Sequence, residues 1–158
     1  MSSDQVTLSV FDRLVSRSRT NGLRHPSGGE VDEYLQQVRR DLENLLNSRC
    51  WWSDYASDLH ELDRSIVTYG LVDFSAEHLG HGTRREEFRR LIERVIRRFE
   101  PRIHHPRVEL HENVDLSDRT LRFRIEGVLK VEPLSEQIAF DTSVEPTNSS
   151  FVIDGVDV

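Results

Sequence analysis

The apolar residues of this chain change their spacing once, and the change falls at a proline. Phe88, Leu91, Ile92, Val95, Ile96 and Phe99 recur at intervals of three and four, the spacing of one α-helical face. From Arg107 onward the period becomes two, as in half-buried strands. Val108 and Leu110 begin it, Leu121, Phe123, Ile125, Gly127, Leu129 and Val131 continue it, and Ile138, Phe140, Thr142 and Val144 repeat it. Between the two regimes stand Glu100, Pro101 and Arg102. Pro101 disfavours helical geometry at the residue before it, so the helix stops at Glu100. Thr83 with Glu86 three residues on is a capping-box start for the same helix.

Helical patterns also fill the chain before this point. Ser27 with Glu30 forms a second capping box, and the helix that follows to about Asn47 carries Val31, Tyr34, Leu35, Val38, Leu42, Leu45 and Leu46 on one face. A third helix is predicted around Leu59–Thr68, with Leu59, Leu62, Ile66 and Val67 as its apolar face and Gly70 as its C′ residue. Ser9–Val15 has the apolar character of a short docking helix, and 16–29, rich in Arg, Ser and Gly, reads as a linker or mobile loop. Trp51 and Trp52 are adjacent, so one packs and the other lies near the surface.

Helices first and strands last make an α+β domain. The predicted architecture is N-terminal helices packed on a C-terminal three-stranded antiparallel sheet, Arg107–Glu112, Thr120–Val131 and Gln137–Val144. Residues 1–29 are then a docking helix and flexible linker, 30–144 the folded domain, and 145–158 an acidic irregular tail.

Composition narrows the function. At 158 residues the chain is one domain with room for a real core, although hydrophobic content of 36% is low and charged content of 31% is high. The single cysteine, Cys50, excludes an intramolecular disulfide. No run approaches the roughly 18 apolar residues of a membrane span, and the N-terminus lacks a signal-peptide core, so a soluble cytoplasmic protein without direct membrane insertion is expected. Residues 1–108 hold 17 basic and 17 acidic side chains, and 109–158 hold 4 and 11, so the net charge of −7 resides in the C-terminal third. Of the 21 basic residues only Lys130 is not arginine, a bias toward carboxylate pairing at protein contacts.

The residues supply no recognisable catalytic set. His104 and His105 are neighbours that project apart, and His78 and His81 lack a third ligand at metal spacing, so no metal or cofactor is expected. Phosphate-binding glycine loops and nucleophile motifs are absent. The predicted central helix is basic, with seven arginines against Glu86, Glu87 and Glu93. Acids are interleaved along it and the whole chain is acidic, which argues against nucleic acid. A glycoside hydrolase needs two carboxylates with separated pKa values. Glu100, beside Arg97, Arg98 and Arg102, is a poor general acid because those cations favour its charged form.

Two candidate partner surfaces remain. Glu100 occupies the negative end of a helix dipole, where a carboxylate is unfavourable unless a cation compensates. Glu100-Pro101-Arg102 is therefore either a local solvated ion pair or a rigid charged corner presented to a partner. The other surface is the outer edge of the last predicted strand. Gln137–Val144, including Gln137, Ile138, Phe140 and Thr142, carries one charge and no proline, the profile of a strand open to pairing with an extended segment of a partner; the alternative is that the acidic tail 145–158 or one of the helices covers this edge.

Beyond these readings, an ordered set of motifs is familiar. Leu8-Ser-Val-Phe-Asp-Arg-Leu14, Arg40-Asp-Leu-Glu-Asn-Leu-Leu-Asn-Ser-Arg49, Ser65-Ile-Val-Thr-Tyr-Gly-Leu-Val-Asp73, Phe99-Glu-Pro-Arg102 and Phe140-Asp-Thr142 together resemble the TssE baseplate subunits of bacterial type VI secretion systems. These form a branch of the gene-25-like family shared with contractile-phage baseplate wedges. The resemblance covers roughly residues 8–144; at Ile103 the family more often has leucine. It implies a structural, non-enzymatic subunit with a fold like the handshake domain of the contractile sheath. Its implied partners are other wedge subunits and the sheath, whose polymerisation it starts in a baseplate docked at the inner membrane. The word lysozyme, often attached to the family, keeps a peptidoglycan-cleaving hydrolase as the alternative.

Overall fold

The computed structural model describes residues 28–51, 58–72, 82–111, 120–131, 134–145 and 150–157. The Ser9–Val15 helix, most of the 16–29 linker, Ser27, Trp52 and the loop before Gly82 lie outside the described residues.

Helix α1 runs from Gly28 to Asn47 and buries Tyr34, Leu35, Val38, Leu42, Leu45 and Leu46, the face set by their spacing. Helix α2 runs from Gly82 to Phe99 and buries Phe88, Ile92, Val95 and Ile96. Each fully buried aliphatic side chain contributes about 1.5–3 kcal/mol. Thr83 falls inside the first turn of α2, and the Glu86 carboxylate is engaged by Arg89 and Arg90 instead of closing a capping box. At the other end the prediction holds. The Glu100 N–H makes the last helical bond, to the Ile96 oxygen at 2.8 Å, and the chain turns at Pro101.

Between the helices the predicted third α-helix is absent. Two single 3₁₀ turns, Leu62–Arg64 and Ile66–Thr68, stand in its place, broken at Ser65, whose backbone is extended. The hydroxyls of Ser65 and Thr68 donate to the Leu62 carbonyl at 2.8 and 2.7 Å. Such side chains compete with helical backbone bonds, and the β-branched run Ile66-Val67-Thr68 adds to the penalty. Leu59, Ile66 and Val67, assigned to a core face, are exposed.

Gly70 has φ +102°, and a Cβ there would sit 2.3 Å from the Ser48 carbonyl oxygen. That close approach lets Leu71 N–H donate to Ser48 at 2.9 Å and pairs strand β1 (Arg49–Cys50) with β2 (Leu71–Val72) in parallel.

The main sheet is antiparallel and has four strands, not three: β3 (Ile103–His111), β4 (Leu121–Val131), β5 (Leu134–Glu145) and β6 (Ser150–Asp157), in that order. The tail read as irregular supplies β6. Its apolar run Phe151-Val152-Ile153 hides the alternation that the fold imposes, with Phe151 and Ile153 buried and Val152 exposed. β3 also starts earlier than predicted, because a register irregularity between His104 and Arg107, with His105 at φ +53°, interrupts the pattern without ending the strand.

Both helices cover one face of the sheet, α2 along β3 and α1 along β6. Phe151 is at the centre of the seal. Its ring meets Phe123 edge-on at 5.9 Å and lies 6.4 Å from Phe88 of α2. A chain ending at Pro146 loses both Phe151 and Ile153. Truncating buried Phe and Ile side chains removes about 3–5 and 2–5 kcal/mol respectively, comparable to the whole stability of a domain. The truncated chain is expected to show no cooperative melting by circular dichroism.

Candidate partner interface

The end of α2 does not present Glu100 to solvent. The residue is 4% exposed, and its carboxylate faces Arg102. Arg102 Nε donates to Oε1 at 2.7 Å and Nη2 to Oε2 at 2.5 Å, a two-pronged pairing that Pro101 makes geometrically short by turning the chain at once. The same Nη2 reaches Asp41 Oδ2 of α1 at 2.7 Å, and the guanidinium carbon lies 6.0 Å from the Tyr34 ring centre. Burial works against the Arg102 charge, but its hydrogen bonds to the Glu100 and Asp41 carboxylates and their negative charge more than offset it, and its pKa stands above the ordinary guanidinium value. Of the three residues expected at a partner-facing corner, Pro101 is exposed, Arg102 is partly exposed and Glu100 is interior. The corner is thus neither a solvated pair nor an outward-facing one; it is a clamp between α2, β3 and α1.

The second predicted surface is occupied over most of its length. Ile138, Phe140 and Thr142 are buried in the core, and among the four only Gln137 is exposed. Strand β5 pairs with β4 over Leu134–Val144 and with β6 over Ala139–Glu145, so the tail lies along this edge from Ala139 onward, while Gln137 and Ile138 precede its first pair.

Two polar contacts that sequence reasoning missed lie at the true sheet edges. On β3, Glu93 Oε1 accepts the Val108 N–H at 3.0 Å and Arg89 Nη1 donates to the Val108 carbonyl at 3.3 Å, with Arg89 and Glu93 themselves paired. On β6, Asn47 Oδ1 accepts the Phe151 N–H at 2.9 Å and Asn47 Nδ2 donates to the Phe151 carbonyl at 3.0 Å. Asn47 lies in the Asn-Ser-Arg motif, but no local pattern names a partner 104 residues away.

Three of the seven arginines of α2 meet acids, two of them along the helix itself. Arg89 bonds Glu86 and Glu93, Arg90 bonds Glu86, and Arg98 bonds Asp63 of the first 3₁₀ turn. Hydrogen bonds from Arg89, then Arg90, hold the Glu86 carboxyl down at about 2. Among the described residues no three potential ligands cluster around a metal position. An open groove of about 420 Å³ crosses the outer sheet face beside His105, Arg107, Arg124, Glu126 and Gln137; Glu100 does not line it. Two large apolar side chains stand out instead: Trp51 is 92% exposed and Ile66 89%, with Val67 partly so. Cys50 Sγ lies 3.8 Å from the Val67 carbonyl, which brings these residues to one corner of the molecule.

These features define a small α+β domain whose ion pairs join its own elements and whose helices finish the edges of its sheet. Residues 32–134 match the family model described as baseplate wedge protein gp25, and the chain belongs to that family. The match runs from α1 to the first residue of β5, leaving most of β5 and all of β6 beyond it. A search of curated proteins found no significant match. The family gives the chain a structural place in a baseplate, and the hydrolase alternative finds no support. No helix among the described residues is long and apolar enough to cross a membrane.

Arg102→Ala leaves the Glu100 carboxylate buried without its cation and is expected to cost about 3–5 kcal/mol in urea unfolding. Glu100→Gln, which removes the charge but keeps an acceptor for Arg102, is expected to cost less, about 1–3 kcal/mol. Around the clamp, burial first of all pushes the Tyr34 and Tyr69 phenols above their ordinary value of 10, and nearby Glu100 adds to the push on both. An unfolded phenol ionises near 10 while these stay protonated, so their contribution is complete below pH 10 and is lost as pH rises above it. Tyr34→Phe and Tyr69→Phe are expected to reduce the alkaline fall in melting temperature.

Proposed function

We propose that the chain is a TssE-type subunit of a type VI secretion baseplate, which docks other wedge subunits and gives the contractile sheath its starting point. The wedge-family match over residues 32–134 carries this reading, and the ordered motifs around Asn47, Gly70 and Glu100 support its type VI branch. In this role the protein works without catalysis, in the cytoplasm, within a baseplate docked at the inner membrane.

The docking surface in this reading is the corner that carries Trp51, Ile66 and Val67. Tryptophan is over-represented among interface residues that dominate binding energy, and large exposed apolar groups mark contact sites. The Glu100–Arg102–Asp41 clamp then acts one step back, by holding α1 and α2 in place behind that corner.

Trp51→Ala is expected to melt like the parent protein yet lose co-purification with the other wedge subunits. Wedge assembly that is unaffected by Trp51→Ala and by Ile66→Ser would remove this corner as the docking site. Normal sheath assembly in cells lacking the protein would remove the function itself.

A further inference from the structure

The antiparallel sheet ends in two strands, β3 and β6, and on each a helix side chain bonds the backbone of an edge residue, Val108 on β3 and Phe151 on β6. In an antiparallel ladder alternate residues of an edge strand turn N–H and C=O away from the sheet, forming a template for another chain. Phe151, opposite Val144, and Val108, opposite Ile125, are such residues, since their N–H and C=O bond to helix side chains instead of the neighbouring strand. Asn47 is the more complete substitute. Its carboxamide supplies one acceptor at 2.9 Å and one donor at 3.0 Å, the two bonds that a residue of an added strand would make.

The rest of each edge is short. Two residues beyond Phe151, Ile153 turns its backbone outward, and the register then breaks between the pairs Thr142–Ile153 and Asp141–Gly155, where Asp154 is the extra residue. On β3, Pro106 has no N–H to offer two residues before Val108, and the irregularity at His104–Arg107 bends the strand there. With Asn47 in place, no unbroken run of outward-facing groups along β6 is long enough to start a ladder.

We infer that Asn47 is an edge guard: it keeps β6 of one copy of this chain from pairing with β6 of a second copy. Two identical edges brought together antiparallel satisfy each other across a two-fold axis, so a free β6 edge is complementary to itself. Arg89 and Glu93, with Pro106, give β3 the corresponding protection.

The test uses the full chain. Asn47→Leu is close in size and bonds nothing, whereas Asn47→Asp keeps the acceptor for the Phe151 N–H. In sedimentation across a wide concentration range, Asn47→Leu is expected to self-associate at least about tenfold more tightly than the parent, and Asn47→Asp by less. Adding Val152→Lys, which places a charge on the exposed face of the edge strand, is expected to return Asn47→Leu to the parent's behaviour. Native circular dichroism with unchanged sedimentation of Asn47→Leu would overturn the inference. So would association that Val152→Lys fails to reverse, since that marks general unfolding. If Asn47→Leu does not fold, Asn47→Asp with and without Val152→Lys carries the same comparison, with the same outcomes.

Discussion

A carboxylate at the C-terminal end of a helix meets the negative end of the helix dipole, and burial there deprives it of water as well. Glu100 is tolerated in that position because Arg102 is two residues away and Pro101 turns the chain so that the guanidinium arrives broadside. The same guanidinium takes Asp41 from α1, and the Arg102 carbonyl accepts the Lys130 N–H of β4 at 3.3 Å. One residue therefore joins both helices to the sheet at the point where the chain passes from one to the other. β3 begins immediately after it, at Ile103, and α2 is aligned along β3 by the Glu93 and Arg89 contacts to Val108.

The helices do more than cover the apolar face. Side chains from both complete backbone bonding at the margins of the sheet, so the domain joins secondary-structure layers edge to edge as well as face to face. For a member of a baseplate family this matters physically. A subunit destined for an assembly must offer contact surface without polymerising on its own, and in the reading proposed above sheet edges guarded at one residue each, with an apolar corner elsewhere, separate those requirements. Arginine suits the internal pairing because its planar fork can hold two carboxylates at once, as Arg102 does with Glu100 and Asp41.

Charge patterns read along a chain describe a surface only when the charges stay on it. The arginines of α2 resemble a basic stripe in one dimension, but Arg89 and Arg90 meet acids three and four residues away and Arg98 meets Asp63 across the fold. Local pairing of this kind is legible from helical spacing. The burial of Glu100 is not, because residue type and neighbours are the same for a solvated pair and for a clamp.

The buried faces of α1 and α2, the stop at Phe99 and Glu100 and the alternation of β4 and β5 were all written in the sequence, whereas Gly70, expected to cap a helix, instead admits the Ser48 carbonyl. Each depends on periodicity or on the backbone freedom of one or two residues. The baseplate family was legible too, since its motifs keep their order along the chain. Tertiary structure alone decided the rest. The segment from Leu59 to Thr68 became two 3₁₀ turns because hydroxyls took its carbonyls, and the acidic tail became a strand because β5 and Asn47 gave its backbone partners. Glu100 became interior because Asp41, 61 residues before Arg102, arrives on the same guanidinium. Periodicity reports which face of an element is apolar; it carries no record of which distant polar group will complete a bond, and those bonds decided the clamp and the edges.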